Sequence, residues 1–210
     1  MTPVNFSSES KDHISQRGQY KKGGLGRWYW DYRDKKIISY IKDEHKILDI
    51  GCGEGITLEK ITKTFPSKNI KGIDYIKENV EICKKHGLPV EYGSVYDLKI
   101  EDNSIDSVVF LEVIEHISDY KKALQEISRV LKPNGSLILI FPNDRIFKIA
   151  RILTLKLREA FYDPGHIKQW TPKLIKESLK REGFTVSKIN NLPFYFWLFS
   201  LHCLVIARKR

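Results

Sequence analysis

The stretch that most restricts this chain is Lys46-Ile47-Leu48-Asp49-Ile50-Gly51-Cys52-Gly53-Glu54-Gly55. Ile47 to Ile50 is a short apolar run and reads as a buried strand. Three glycines follow at alternate positions, and then Ile56, Leu58 and Ile61 set a helical spacing. A strand, a glycine turn and a helix start together cradle the polar part of a nucleotide-like ligand. Glycine lets the backbone turn tightly and approach that ligand with no Cβ in the way. The dinucleotide fingerprint G-x-G-x-x-G would need glycine at position 56, where Ile56 stands. Asp49 and Glu54 are anionic, which suits a ligand carrying an ammonium group better than a phosphate.

Downstream segments repeat the alternation of strand and helix. Lys68 to Asp74 reads as a second strand ending in an acid, 21 residues beyond Gly53. In strand–helix–strand units a carboxylate at that distance accepts hydrogen bonds from both ribose hydroxyls. The alternative role for Asp74 is an N-cap of the next helix. That helix runs from about Ile76 to Lys85 and stops at Gly87. Pro89 to Gly93 is a third strand, and Ile105 to Leu111 a fourth, apolar enough to be covered on both faces. A helix over Tyr120 to Leu131 precedes a tight turn at Lys132-Pro133-Asn134-Gly135, and Ser136 to Phe141 is the fifth strand.

This order, with "LKPNGSLIL" before strand five, closely resembles the methyltransferase type 11 group of the class I S-adenosylmethionine-dependent methyltransferases. The strand and glycine turn resemble motif I of that class. The resemblance covers residues 46–142 well. It is similar in particular to the ubiquinone-biosynthesis O-methyltransferases. It implies an α/β fold: a Rossmann-like, open, mostly parallel sheet with an antiparallel last strand, helices on both faces and a helical lid insertion. The expected layout is a single domain over 1–210. A helical cap spans 1–45, the cofactor core 46–142, the acceptor lid 143–170, and a closing helix and strands 171–210.

The same resemblance implies S-adenosylmethionine as cofactor and S-adenosylhomocysteine as product. Asp49, Gly51 and Gly53 then hold the methionine end and Asp74 the ribose, with Tyr75, Leu111 and Glu112 along the cofactor. Many members of the group carry an acid directly after the third strand's glycine, where it meets the adenine amino group; here Ser94 stands there. The adenine contact falls to Ser94, to the backbone of Val95, or to Asp97.

The sulfonium methyl is already activated by its charge, so the enzyme mainly aligns donor and acceptor. An oxygen acceptor must also lose its proton, and histidine is the usual agent at neutral pH. His116, just past strand four, and His166, in the lid, are the candidate catalytic bases. Glu112, Glu115 and His116 also form E-x-x-E-H. A similar pattern with a distant histidine binds Mg²⁺ in small-RNA 2′-O-methyltransferases, and the ubiquinone O-methyltransferases carry a related one. The same residues occur in family members with no metal, and the reading adopted here assigns none.

The ends of the chain resemble the family poorly. Residues 1–19 are polar and expected to fray, and Tyr20 to Gly26 is expected to form a flexible turn before a helix through Ile37, Ile38 and Ile41. The aromatics among Trp28 to Tyr32 are expected mainly in the core, although an N-terminal helix that closes over the cofactor is common in the family. Residues 144–165 read as a basic amphipathic helix. At about 100° per residue, Arg145, Lys148, Arg151, Lys156 and Arg158 fall within about 160° of arc, opposite Ile146, Ile149, Ala150, Leu153 and Leu157. Such a helix covers an active site or lies on an anionic membrane. Thr171 and Pro172 begin another helix. Strands follow from Phe184 to Ile189 and from Leu201 to Ala207. The aromatic cluster Phe194 to Trp197 is expected in the core rather than as an acceptor wall.

Composition narrows the partners. The net charge of +10, from 36 basic and 26 acidic residues, points to an anionic contact or simply to solubility. Cys52, Cys83 and Cys203 form no C-x-x-C pair and suit a reducing cytoplasm. Met1 to Ser10 is polar, so no cleaved leader is expected. The apolar stretch 192–207 contains Pro193, Ser200 and His202 and is shorter than the ~20 residues of a membrane-spanning helix. The expected protein is cytoplasmic, with peripheral membrane contact as an option. The expected reaction is methylation of an oxygen of a small-molecule or lipid-like acceptor. A first rival is an RNA ribose 2′-O-methyltransferase, weakened by the lack of an RNA-binding module. A second is a cofactor-binding protein without catalysis.

Overall fold

The computed structural model describes residues 15–41, 46–66, 69–153 and 166–210, with the backbone alone for residues 147 and 150–153. Seven strands form one sheet in the order β3-β2-β1-β4-β5-β7-β6. They are β1 (Ile47–Ile50), β2 (Ile70–Asp74), β3 (Val90–Tyr92), β4 (Ile105–Leu111), β5 (Leu131–Pro142), β6 (Phe184–Leu192) and β7 (His202–Lys209). β1 to β5 pair in parallel, while β7 runs antiparallel to both β5 and β6. The sheet is therefore mostly parallel with an antiparallel last strand, as the family resemblance implies.

Alternation along the central strands sends side chains into two apolar layers. Val108, Phe110, Leu137, Leu139 and Phe141 enter one layer. Val109, Ile138 and Ile140 enter the other. One face is covered by α5 (Tyr120–Val130) and α7 (Pro172–Arg181), which contribute Leu124, Ile127, Ile175 and Leu179. The opposite face is covered by α2 (Gly24–Ile38), α3 (Ile56–Thr64) and α4 (Lys77–Lys85), through Ile37, Leu58, Ile61 and Val80. A sheet buried on both faces explains the unbroken apolar runs of β4 and β5. Caps fix the helix starts: Asp119 accepts from the Lys122 amide at 3.0 Å, and Thr171 from the Leu174 amide at 3.2 Å.

Some segments depart from the sequence expectation. Residues 132–135 bulge within β5, because Ile105 pairs with Leu131 but Ser107 already pairs with Ser136. Asn134 there has φ 61°. β6 and β7 extend further than their apolar runs, since each pairs along its full length. Upstream, Gln16–Lys22 is a helix, α1, and α2 already begins at Gly24, so the expected fraying of residues 15–19 and the flexible turn before Arg27 are both corrected. The physical reason lies in Glu54, described below. α6 (Asp144–Leu153) opens the lid insertion. Arg145 and Lys148 are exposed on it, Ile146 is half-buried, and Ile149 is exposed. Lys156, Leu157 and Arg158 lie outside the described residues. The aromatic cluster is also corrected: Phe194, Tyr195 and Phe196 are exposed, and only Trp197 packs inward, tilted against Phe141 with ring centroids 5.6 Å apart. No described helix is long and apolar enough to cross a membrane.

Candidate cofactor and acceptor site

At the carboxyl edge of β1 the chain turns through Gly51, Cys52 and Gly53 into α3. Gly51 has φ 72°, and a Cβ there would sit 2.3 Å from Cγ2 of Val113. Only glycine fits both the backbone angle and the space. The turn lines a cavity of about 120 Å³ together with Asp49, Leu111, Glu112, Thr57, Trp30 and Arg33. A larger cavity of about 560 Å³ lies at the opposite edge of the sheet, between the starts of β1, β2 and β4. It has no glycine turn and no helix N-terminus, so we assign the smaller one as the functional site.

Asp49 is almost fully buried at the cavity floor. Burial, reinforced by the nearby Asp74 and Asp34, pushes its carboxyl up to about 7, against the opposing pull of Arg33. A cationic ligand group would relieve that cost. Asp74 is buried beside the turn. Its Oδ2 accepts from the Gly53 amide at 2.7 Å, and its Oδ1 from the Ile76 amide at 2.8 Å and the Asn79 side chain at 3.2 Å. It thus ties the start of α4 to the glycine turn without capping the helix: the N-cap position is Ile76, with no side-chain cap bond, so the capping alternative raised above is not what the structure shows. A carboxylate oxygen has two lone pairs, so Oδ2, with one amide bond, keeps acceptor capacity for a sugar hydroxyl.

Glu54 does not face the cavity. Its carboxylate accepts from the Ser15 hydroxyl at 2.8 Å, the Gln16 amide at 2.9 Å and the Arg17 amide at 2.7 Å. It fastens α1 over the glycine turn, and Gln16 enters the cavity wall as a result. The suggestion that Glu54 draws an ammonium group is corrected on this ground.

α2 closes the other side. Trp30 and Arg33 face the cavity, Tyr29 is buried, and Trp28 is exposed, so the aromatic run is divided among three environments instead of sharing the core. Arg33 is buried and pairs with Glu112, with Asp34 at 3.0 Å and with Thr57 at 3.4 Å. Burial alone would raise the Glu112 carboxyl. The Arg33 guanidinium and His202 overcome it and hold Glu112 well below the usual range. His202 meets the Tyr29 hydroxyl at 2.7 Å through Nδ1. Sequence reasoning missed Arg33, Gln16 and His202. A charged pair, Arg33-Asp34, on the buried side of an aromatic helix was the available signal.

The adenine candidates lie one strand further out. Tyr75 and Tyr92 stack with centroids 5.8 Å apart, both half-exposed. The Ser94 hydroxyl accepts from the Tyr96 amide at 3.2 Å, and Val95 is buried. Asp97 pairs with Lys99 at 2.8 Å on the exposed surface.

The two candidate bases meet. His116 and His166 are edge to face with centroids 4.7 Å apart, although 50 residues separate them. Asp144 Oδ1 lies 2.8 Å from Nδ1 of His166. Glu115 is buried beside them, and both its carboxylate oxygens lack a hydrogen-bond partner among the described residues. Burial and the charge of Glu112 push its carboxyl up to about 8. Ligand atoms of Glu115, His116 and His166 lie within 4.8 Å of one another, so these three fit a divalent ion. Glu112, the first acid of E-x-x-E-H, is committed to Arg33.

Residues 48–139 match the family model described as a methyltransferase domain. The chain is 39% identical over 147 residues to an uncharacterized 37.1 kDa transposon protein of Streptomyces fradiae, covering 66% of this chain and 41% of that protein. It is 28% identical over 177 residues to the ubiquinone biosynthesis O-methyltransferase of Haemophilus ducreyi, covering 73% of this chain and 72% of that enzyme. A crystal structure of an S-adenosylmethionine-dependent methyltransferase from Archaeoglobus fulgidus superposes with TM-score 0.71 at 19% identity, covering 91% of this chain and 97% of that one. The chain thus spans less than half the length of the first relative.

Proposed function

Because the chain belongs to the type 11 group of the class I S-adenosylmethionine-dependent methyltransferases, we propose that it transfers the cofactor's methyl group to an oxygen of a small-molecule or lipid-like acceptor. The observation that carries the oxygen reading is the His116–His166 pair. It stands at the same sheet edge as the glycine turn, where open α/β sheets bind ligands. The similarity to a ubiquinone biosynthesis O-methyltransferase supports the same acceptor class.

Asp49, Gly51 and Gly53 receive the methionine end, Asp74 the ribose, and Tyr75, Ser94 and Val95 the adenine side. Leu111 and Glu112 line the approach to the methyl group. Asp144 orients His166: with Nδ1 donating to the carboxylate, Nε2 becomes the basic nitrogen. That nitrogen takes the acceptor's proton as the oxygen attacks the methyl carbon in line. Glu115, His116 and His166 are the residues that would hold a divalent ion if one is bound; His166 would then be a ligand instead of the base, and the ion would make the acceptor hydroxyl more acidic.

The test is incubation with S-adenosylmethionine carrying a deuterated methyl group, offered either a lipid and quinone extract or total RNA. Label on an oxygen of a small molecule supports the proposal. Label on ribose assigns the protein to RNA. Cofactor binding without turnover in either extract leaves a sensor.

A further inference from the structure

Of the twelve large apolar side chains exposed among the described residues, five stand in one loop. Tyr195 is 95% exposed and Phe196 73%, with Phe194, Leu198 and Phe199 beside them in the loop joining β6 to β7. That loop leaves the sheet where Leu192 pairs with His202, at the same end as the last residue of β5. It is held in shape rather than left loose. The Ser200 hydroxyl lies 2.7 Å from the Phe194 carbonyl and 2.9 Å from the Phe196 carbonyl, its one proton shared between them, and Asn191 donates to the Tyr195 carbonyl at 2.8 Å. The backbone is therefore built to present aromatic rings outward, at a cost in exposed apolar surface that a free monomer has no reason to bear.

Two further segments bring apolar and basic groups to the same edge. Asn143, directly before α6, bonds the Trp197 carbonyl at 2.7 Å, which places Arg145, Lys148 and the exposed Ile149 next to the loop. Tyr29 of α2 bonds His202, which places the corner before it, with Lys21, Lys22, Leu25 at 86% exposure, Arg27 and Trp28, on the other flank. The sequence carries no Asp or Glu from Ser15 to Trp30, none from Arg145 to Leu153 and none from Gly183 to Arg210.

We propose that this edge docks on an anionic lipid bilayer, with the β6–β7 loop inserted among the headgroups and the two basic flanks against lipid phosphates. Amphipathic aromatic rings favour the membrane interface, and clustered lysine and arginine favour anionic leaflets. His202, at the root of this loop, lies 3.6 Å from Glu112 of the cavity lining, so the loop and the cavity share one edge of the sheet. Docking itself needs no turnover and stands or falls independently of the acceptor reading.

The experiment is co-sedimentation of the full chain with vesicles of phosphatidylglycerol and phosphatidylcholine at low salt. The expected result is pelleting that weakens as salt rises or as phosphatidylglycerol is withdrawn. The double variant Tyr195→Ser/Phe196→Ser should keep the wild-type melting temperature, since both side chains are exposed, and lose roughly tenfold or more in partitioning. A charge-reversed pair, Arg145→Glu/Lys148→Glu, should lose both binding and salt dependence. Wild-type protein that stays in the supernatant with anionic vesicles overturns the proposal. So does a serine variant that pellets like wild type, or one whose sole defect is loss of a dimer seen by light scattering.

Discussion

The buried guanidinium of Arg33 holds the carboxylate of Glu112, across 79 residues of sequence. This one contact joins the N-terminal helix to the end of β4 and takes the first acid away from the E-x-x-E-H group. Removing the cation strands an anion beside the cavity. A fully buried pair broken on one side costs about 3–5 kcal/mol. Here the Glu112 side chain is 39% exposed, so Arg33→Met should cost on the order of 2 kcal/mol in urea unfolding after that discount. The double variant Arg33→Met/Glu112→Leu should recover most of the loss. Additive losses in the double variant would contradict the pairing.

Gly51 carries a second prediction. An alanine there must adopt φ 72° and push into Val113. Gly51→Ala should lower stability by about 1–3 kcal/mol and weaken S-adenosylhomocysteine binding at least tenfold. Removing the opposing methyls in Gly51→Ala/Val113→Ala should return part of the affinity. Calorimetry of the three proteins decides.

The pH dependence follows from Asp49. Its carboxyl moves from 3.8 to about 7 on folding. Between those values the folded state binds a proton that the unfolded state has released. Its stabilising effect is thus fully present below pH 3.8 and is lost as pH rises through about 7. Asp49→Asn should flatten that part of the melting profile. An ammonium-bearing ligand favours the carboxylate, so S-adenosylhomocysteine should bind tighter at pH 8 than at pH 6 in the wild type. The asparagine variant should lose that difference.

His166 and Asp144 predict a kinetic signature. His166→Gln should lower kcat by about 10²–10⁴-fold while leaving cofactor affinity unchanged. Asp144→Asn should lower kcat at unchanged cofactor affinity, because the imidazole loses the carboxylate that orients it. Unchanged kcat in His166→Gln would place the base elsewhere, with His116 next in line.

Metal binding is tested apart from turnover. Titration of Mn²⁺ into the full chain should give a single site, abolished by Glu115→Gln and by His166→Gln but spared by Glu112→Gln. Equal binding in all three variants would exclude the Glu115–His116–His166 cluster as the ligand set, and activity indifferent to EDTA would exclude a catalytic ion.

Local chemistry alone determined the sheet and its turn. Ile47, Leu48 and Ile50, and Val108 to Leu111, are apolar because both faces of the central sheet are buried, and a property shared by most residues of a strand is readable without coordinates. Gly51 and Gly53 were readable for the same reason, since the demand on them comes from their own backbone angles. Tertiary structure alone decided the fate of the charged and aromatic residues. Glu54 turned from the ligand to α1, Glu112 paired with Arg33, and His116 met His166 across 50 residues. Phe194 to Phe196 read as core yet stand in water. A carboxylate or a ring is satisfied by whatever the fold brings within a few ångströms, and sequence spacing carries no record of a partner that arrives from another strand.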